Sequence, residues 1–234
     1  MAALPARQAV HQISMNSNEI YHALREDILT LKLHPGQKIS ENEIAALYNV
    51  SRTPVKNAFV RLQSEGFIEI LSQRGTYVTY IDAKHIRDII YMRYVLEMDM
   101  CKVALRTHNF GTLIDSLEAN LKEQEQIIAT PSLNPYTFYV VDSGFHQLLF
   151  AHANRGHIWE AIQANQVYYK RFRLLDTTAT ARYNQLFTDH CNILEALKAR
   201  DESAVDKFIF HHLHCNLTRI EKVADKYSDY LVNV

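Results

Sequence analysis

The spacing of apolar residues changes once along the chain, near residue 80. Before that point, three stretches carry apolar side chains at three- and four-residue intervals, and two later stretches, FIEIL and TYVTY, are rich in β-branched and aromatic residues. After it, only the helical interval recurs. The pattern predicts a mainly α-helical fold, with three helices and a β-hairpin at residues 17–80 and an all-α bundle at residues 81–230. Residues 1–16 show neither pattern, and we expect them to form a flexible tail.

Polar residues at the starts of the first three helices indicate how this segment is arranged. Ser17 or Asn18 can cap the first helix. Ser40 with Glu43 has the spacing of a capping box for the second helix, and Ser51 can cap the third. Two helices joined by a tight turn and followed by a hairpin form a winged helix-turn-helix. We therefore expect a DNA-binding domain here, whose partner is a double-stranded operator.

The C-terminal half carries six stretches of helical spacing, separated by segments rich in glycine, proline, asparagine and threonine. No strand pattern interrupts them, which predicts a helical bundle. The six predicted helices cover residues 83–107, 112–129, 135–153, 156–174, 180–198 and 202–229.

The composition agrees with this division and excludes several classes of protein. Hydrophobic residues make up 47% of the 234 residues, and six glycines and five prolines are few for a turn-rich β protein. The three cysteines lack CxxC spacing, which favours reduced thiols and a cytoplasmic location. No segment has the apolar run of a signal peptide or a membrane span, so we expect no membrane partner.

The net charge of the N-terminal segment gives little support for DNA binding, but the positions of its basic residues do support it. Residues 1–80 carry eight Lys/Arg against seven Asp/Glu, a net charge of about +1. The polar and basic residues that could contact DNA fall in the first turns of the third helix and at the hairpin tip: Ser51, Arg52, Thr53, Lys56, Arg74 and Gly75. A solvated helix face and a surface hairpin are the alternative interpretation. Because one weakly charged domain binds DNA weakly, we expect a homodimer that contacts two half-sites.

Four metal-ligating side chains lie on or near the apolar faces of three predicted C-terminal helices: Asp142, His146, His190 and His212. The first two are one helical turn apart, and at 100° per residue the last lies roughly 60° from the centre of its apolar face. One carboxylate and three imidazoles suit Zn²⁺, Ni²⁺, Mn²⁺ or Fe²⁺. A hydrogen-bonded Asp–His network without metal remains an equal alternative at this stage.

The N-terminal segment resembles a known family. PGQKISENEIAALYNVSRTPVKNAFVRLQSEGFIEILSQRGTYV, residues 35–78, is similar without gaps to the winged helix of GntR-type bacterial transcription regulators. VSRTPV, RLQSEG and RGTYV are its most specific motifs. Asn42 and Lys56 replace arginines that contact DNA in the family. Lysine keeps a phosphate contact but lacks the bidentate fork that recognises guanine, so the resemblance implies an altered operator preference.

The C-terminal half resembles the all-helical FCD effector domain of the FadR-like GntR subfamily. The likeness rests on YMRYVLE, VDSGFHQLLFAHAN, DHCNILEALKARD and HHL. It implies a divalent metal bound by one Asp and three His, which correspond to the four residues above, and a small organic acid effector in the open metal positions. It also places Arg93 at the cavity as an anion contact, although an ion pair with Glu97 is an alternative. Further candidates, left unranked, are Tyr168, Tyr169, Arg171 and Arg173.

Together these features predict a dimeric, effector-controlled transcription regulator, with repression as the commoner outcome in the family. Two other functions stay open at this stage. A metal hydrolase would use a metal-bound water, although no separate general base is apparent beside the four ligands. A protein-interaction module would use the Asp/His set for structure alone.

Overall fold

The computed structural model describes residues 15–176 and 180–234, and the predicted tail at residues 1–16 lies outside them except for its last two residues. The chain forms two compact units. The first contains the described residues up to Asp82 together with residues 227–233, and the second contains residues 83–226 and Val234. Residues 227–233 therefore belong to the first unit, whereas the sequence pattern assigned residues up to 230 to the helical domain.

The first unit consists of three helices, a three-stranded antiparallel sheet and a pair of short parallel strands. Among the described residues, three two-residue strands lie outside the predicted hairpin, and two of them pair in parallel so that Ile81 lies opposite Leu231. The elements are α1 (Ser17–Leu29), β1 (Lys38–Ile39), α2 (Glu41–Tyr48), α3 (Arg52–Ser64), β2 (Ile68–Leu71), β3 (Gly75–Val78), β4 (Ile81–Asp82) and β5 (Leu231–Val232). The order of strands in the three-stranded sheet is β1-β3-β2.

The helix caps differ in detail from those predicted. Asn16, rather than Ser17 or Asn18, caps α1, and it forms a capping box in which the Glu19 carboxylate accepts the Asn16 N–H at 2.8 Å. The Ser40 hydroxyl caps α2 by accepting the backbone N–H of Asn42 at 3.2 Å. Ser51 precedes α3, but its side chain makes no capping hydrogen bond among the described residues. The Ser51 hydroxyl can therefore form a hydrogen bond with another group at the start of the helix.

The hairpin tip requires glycine at position 75. Gly75 has φ +120°, and a Cβ placed there would lie 2.7 Å from Cε of Lys38. We expect Gly75→Ala to lower the free energy of unfolding by about 1–3 kcal/mol, because the backbone conformation is strained for any L side chain. Urea denaturation measures the change. Gly111→Ala is the matched control, since no described atom outside the backbone of its own helix lies within 4 Å of a Cβ there. An equal loss for both variants would contradict the argument.

All regular secondary structure among the described residues of the second unit is helical. Its elements are α4 (Ala83–Arg106), α5 (Phe110–Ile128), α6 (Pro135–His152), α7 (Gly156–Asn165), α8 (Val167–Asp176), α9 (Thr180–Lys198), α10 (Glu202–His214) and α11 (Leu217–Lys226). The mainly α fold with an N-terminal winged helix-turn-helix and a C-terminal helical bundle is therefore confirmed. No helix of the part of the chain that the structure describes is both long and apolar enough to span a membrane.

Two of the six predicted C-terminal helices are each divided in the structure. The predicted helix 156–174 breaks at Gln166, which has φ −104° and ψ 26° between α7 and α8. The predicted helix 202–229 breaks after His214. There the Asn216 side chain donates to the carbonyls of His212 and Leu213 at 3.3 and 3.1 Å, and so satisfies the end of α10 in place of a continuing helix. Because each break interrupts the helical repeat, the direction in which the side chains beyond it point does not follow from the spacing of the predicted helix.

Candidate metal centre and DNA-binding surface

Three histidines from three helices converge inside the helical unit. His146 lies on α6, His190 on α9 and His212 on α10, and each is fully buried at 0% exposure. Their Nε2 atoms lie 3.3 Å (His146 to His190), 3.3 Å (His190 to His212) and 3.2 Å (His146 to His212) apart. The sequence predicted this convergence, although it placed His212 near the edge of its apolar face rather than fully inside.

The spacing of the three nitrogens suits a metal ion. With metal–nitrogen bonds of about 2.0–2.1 Å, tetrahedral angles place two ligand nitrogens about 3.3 Å apart. The observed separations of 3.2–3.3 Å agree with that value. Among the described residues these three histidines form the group whose ligand atoms could hold an ion together.

The opposite ring nitrogen of each histidine faces an oxygen. Nδ1 of His146 lies 2.7 Å from Glu97 Oε2, and Nδ1 of His190 lies 2.9 Å from Gln124 Oε1. Nδ1 of His212 lies at a longer 3.5 Å from Asp189 Oδ2. An oxygen acceptor places the proton on Nδ1 of His146 and of His190, which leaves Nε2 of each ring with its lone pair. The lone pairs of these two Nε2 atoms then face each other, an arrangement that repels unless a cation lies between them.

The partners of the histidines are themselves held in place. Gln124 donates from Nε2 to Asn120 Oδ1 at 2.7 Å, which leaves its Oε1 to accept from His190. Glu97 accepts from Arg93 Nε at 2.7 Å. Burial opposes ionisation of Glu97, but Arg93 and His146 outweigh it and lower the pKa of Glu97 to about 2. Glu97 is therefore an anion that fixes the His146 ring.

Burial also keeps two of the three imidazoles neutral. It lowers the pKa of His190 well below its usual value, and the neighbouring His212 adds to the effect. Burial lowers the pKa of His212 to about 4, against an opposing contribution from Asp189. Both rings are neutral at pH 7, which is the form that ligates metal.

Asp142, the fourth predicted ligand, borders the cluster. Its Oδ1 lies 3.9 Å from His190 Nε2 and 3.2 Å from Nη2 of Arg173. Burial opposes ionisation of Asp142, but the neighbouring guanidinium of Arg173 favours it, and the pKa of this carboxyl lies well below its usual range. In this arrangement the carboxylate is paired with a guanidinium and only adjoins the three nitrogens.

Arg93 forms the ion pair with Glu97 that the sequence offered as an alternative to an anion contact. Its Nε pairs with Glu97, and its Nη1 donates to the Tyr169 hydroxyl at 3.0 Å. Arg173 donates to the same hydroxyl at 3.1 Å, so two buried cations converge on Tyr169 beside the histidines. Of the other two unranked candidates, Tyr168 packs edge-on against His85 and Arg171 is buried at 1% exposure.

Sequence reasoning missed three residues that position the histidines. Gln124 continues the buried stripe of Leu113, Leu117 and Leu121 on α5, and a polar residue at a core position was the available signal. Asp189 adjoins His190 in sequence, but its direction depends on the packing of α10. Glu97 was considered only as a partner of Arg93, because the helix spacing gives no indication that it reaches His146.

The predicted DNA-contacting residues lie at the surface of the first unit. Arg52, Thr53 and Lys56 are exposed at the start of α3, and Arg74 is exposed at the hairpin tip beside the half-buried Gly75. Ser51 is exposed as well. Arg52 also forms a 3.7 Å ion pair with Glu41 on α2, a weak contact given that 68% of the Arg52 side chain is exposed. The exposed start of a helix that follows a tight turn is the part of this fold that enters the major groove.

Comparison with known sequences assigns each of the two units to a protein family. Residues 16–78 match the family described as bacterial regulatory proteins, gntR family, and residues 88–214 match the FCD domain. These matches confirm the resemblance on which the sequence predictions rested. They cover the winged helix and the segment of the helical unit that carries all three histidines.

Similar proteins can be aligned with this chain over most of its length. The HTH-type transcriptional repressor RspR of Escherichia coli (strain K12) is 32% identical over 216 residues, which cover 92% of each chain. A regulator in an unstable DNA locus of Streptomyces ambofaciens is 28% identical and covers 89% of this chain and 86% of its own. The solved structure of E. coli McbR/YncC has the same fold, with a TM-score of 0.66 at 19% identity over 90% of this chain and 98% of that one. The chain therefore belongs to the gntR family of bacterial regulatory proteins, transcription regulators rather than enzymes, and it carries an FCD domain after its winged helix.

Proposed function

We propose that this regulator is a cytoplasmic homodimeric repressor whose binding to operator DNA is controlled by a small organic acid at a divalent-metal site. The observation that carries the proposal is the convergence of three histidine Nε2 atoms at 3.2–3.3 Å. The repressor among the relatives supports the direction of control. Family membership excludes the hydrolase alternative, and metal analysis distinguishes this proposal from a purely structural histidine cluster.

The three imidazoles would hold the ion, and Asp142 is the fourth candidate ligand. A three-histidine set leaves coordination positions for an additional group, and a bound divalent cation attracts an anion to them. The candidate metals remain Zn²⁺, Ni²⁺, Mn²⁺ and Fe²⁺, since imidazole with carboxylate suits each of them.

The charges beside the metal site favour an anionic effector. Arg93 and Arg173 are buried at 3% and 1% exposure and both contact Tyr169. Each also pairs with a carboxylate, Glu97 or Asp142, so the arginines are held in fixed positions without a ligand. Guanidinium groups bind carboxylates through paired hydrogen bonds, which makes an organic acid the ligand class expected here.

The site is connected to the DNA-binding unit through the backbone. The helix that carries Arg93 and Glu97, α4, begins at Ala83, directly after the last residue of β4. An effector changes operator affinity only to the extent that it binds the two functional states with different affinities. We propose that a change at Arg93 and Glu97 reaches the winged helix along this continuous segment.

The weak net charge of the DNA-binding segment supports dimerisation. With a net charge of about +1 over residues 1–80, one winged helix neutralises few phosphates. Two copies double the number of contacts and match a two-fold symmetric operator. Sedimentation with and without operator DNA measures the stoichiometry, and one chain per operator would contradict a dimer.

Thermal denaturation tests the effector class. We expect a metal-loaded wild-type protein to gain about 3–8 °C in melting temperature with millimolar concentrations of a bound organic acid, because a ligand specific for the folded state stabilises it by mass action. The uncharged amides of the same acids serve as controls. Equal shifts with acids and amides, or no shift with any acid, would contradict an anion site.

A further inference from the structure

Gln166 has an unusual environment that the metal site does not account for. The residue is 2% exposed, and neither its Oε1 nor its Nε2 has a hydrogen-bond partner among the residues that the structure describes. Buried side-chain amides are nearly always hydrogen-bonded, since both ends lose their contacts with water. A buried amide without protein partners therefore leaves its hydrogen bonds to an ordered water or to a bound ligand.

The helix geometry places Gln166 beside the candidate effector site. Its carbonyl accepts the backbone N–H of Lys170 at 2.8 Å, so Gln166 begins the turn that also carries Tyr169. Residues three apart in such a turn lie on the same side of a helix, and Arg173 follows one turn later on that side. The break at Gln166 between α7 and α8 thus places a neutral amide next to the two residues that border the metal site.

A second atom without a partner belongs to Arg93, which binds the Tyr169 hydroxyl. Arg93 Nη2 is buried and has no hydrogen-bond partner among the described residues, whereas Nε and Nη1 of the same guanidinium bind Glu97 and Tyr169. Nη2 is a cationic donor, Gln166 Nε2 is a neutral donor and Gln166 Oε1 is an acceptor. A carboxylate oxygen accepts hydrogen bonds from both donors, Arg93 Nη2 and Gln166 Nε2. The amide oxygen requires a hydrogen-bond donor, which a simple carboxylate lacks and a hydroxyl group supplies.

We propose that Gln166 is a specificity-determining residue that binds a hydroxyl group of the effector, which makes the effector a hydroxylated organic acid. The inference rests on the proposed function, since it assigns a ligand class to the same site. A hydroxyl group both donates and accepts, so one such group satisfies Oε1 and Nε2 of the amide together. An acid with a plain alkyl chain leaves the amide unsatisfied and binds more weakly for that reason.

Three six-carbon acids test this ligand class: gluconate, which carries five hydroxyl groups, hexanedioate, which carries a second carboxylate, and hexanoate, which carries neither. Calorimetric titration of wild-type protein is expected to give the tightest binding for gluconate, by about 10-fold or more over hexanoate. Binding of hexanoate or hexanedioate in preference to gluconate would overturn the inference but leave the organic-acid proposal standing. Binding of no acid would overturn both.

The variant Gln166→Met tests the residue itself, because methionine has a similar shape and no amide. We expect the unliganded variant to be at least as thermally stable as wild type and to bind metal equally, since no hydrogen bond joins the Gln166 amide to the histidines in the part of the chain that the structure describes. Its affinity for gluconate is expected to fall about 10-fold, while hexanoate affinity stays within about 2-fold. Unchanged gluconate binding, or an equal loss for both acids, would overturn the assignment. Gln166→Asn, which shortens the amide by one methylene, provides the same comparison if the methionine variant does not fold.

Discussion

Replacing His190 with alanine is expected to abolish metal binding. The variant removes one of three converging Nε2 donors, and loss of an outer-shell partner alone costs about 10–100-fold in metal affinity, so loss of a ligand costs more. After equilibration with Zn²⁺, Ni²⁺ or Mn²⁺ and desalting, elemental analysis is expected to give about one ion per chain for wild type and less than about 0.1 for the variant.

The variant also loses packing, and the experiment must separate that effect from metal loss. His190 stacks on Phe145 with ring centroids 4.3 Å apart, so alanine leaves a cavity that costs roughly 2–4 kcal/mol without any metal. The relevant measurement is the rise in melting temperature when metal is added to the chelator-treated protein. Wild type and the control His214→Ala are expected to show this rise, because His214 is half-buried and bonds to the Phe210 carbonyl. An equal rise in His190→Ala would rule out the three-histidine site.

Replacing Lys56 with alanine is expected to weaken DNA binding by about 10-fold or more at low salt, for every sequence tested. Lys56 is exposed on α3, where a phosphate contact adds affinity without distinguishing bases. In a dimer two such contacts are lost, so the slope of log affinity against log salt is expected to become shallower by about 2. Fluorescence anisotropy on the DNA upstream of the regulator's own gene measures both quantities.

Two further variants make this test specific. Lys122→Ala removes the same charge from the exposed surface of α5 and is expected to leave the salt slope unchanged. Lys56→Arg restores the residue typical of the family and is expected to increase the preference for sites with guanine, because a guanidinium binds its O6 and N7 together. If Lys122→Ala weakens binding as much as Lys56→Ala does, the contact at α3 is not the cause.

The fold could be predicted because apolar spacing is a local property of the sequence. Features that depend on distant residues could not. β4 and β5 pair across about 150 residues of chain, and each contains only two residues, so neither has a recognisable pattern. The breaks at Gln166 and Asn216 were missed for a related reason, since helical apolar spacing continues on both sides of each break.

The sequence predicted the positions of the three histidines in the candidate site, but not the contacts of the residues around them. The three histidines were found because each lies on a helix whose apolar face is evident from its spacing. The sequence placed Asp142 with them as an equal ligand, whereas the structure pairs it with Arg173 at 3.2 Å. That pairing depends on the direction of α8, which begins anew after Gln166. The partners Gln124 and Asp189 depend on contacts between helices, which the spacing along one helix does not reveal.

The central claim is that an organic acid controls DNA binding through the three-histidine site. The direct test is operator affinity for wild type and His190→Ala, each with and without the acid that raises the wild-type melting temperature. The account predicts that the acid weakens wild-type binding by about 5–150-fold, the usual range of allosteric coupling, and leaves the variant unchanged. An acid that weakens both proteins equally, or that affects neither, would contradict it.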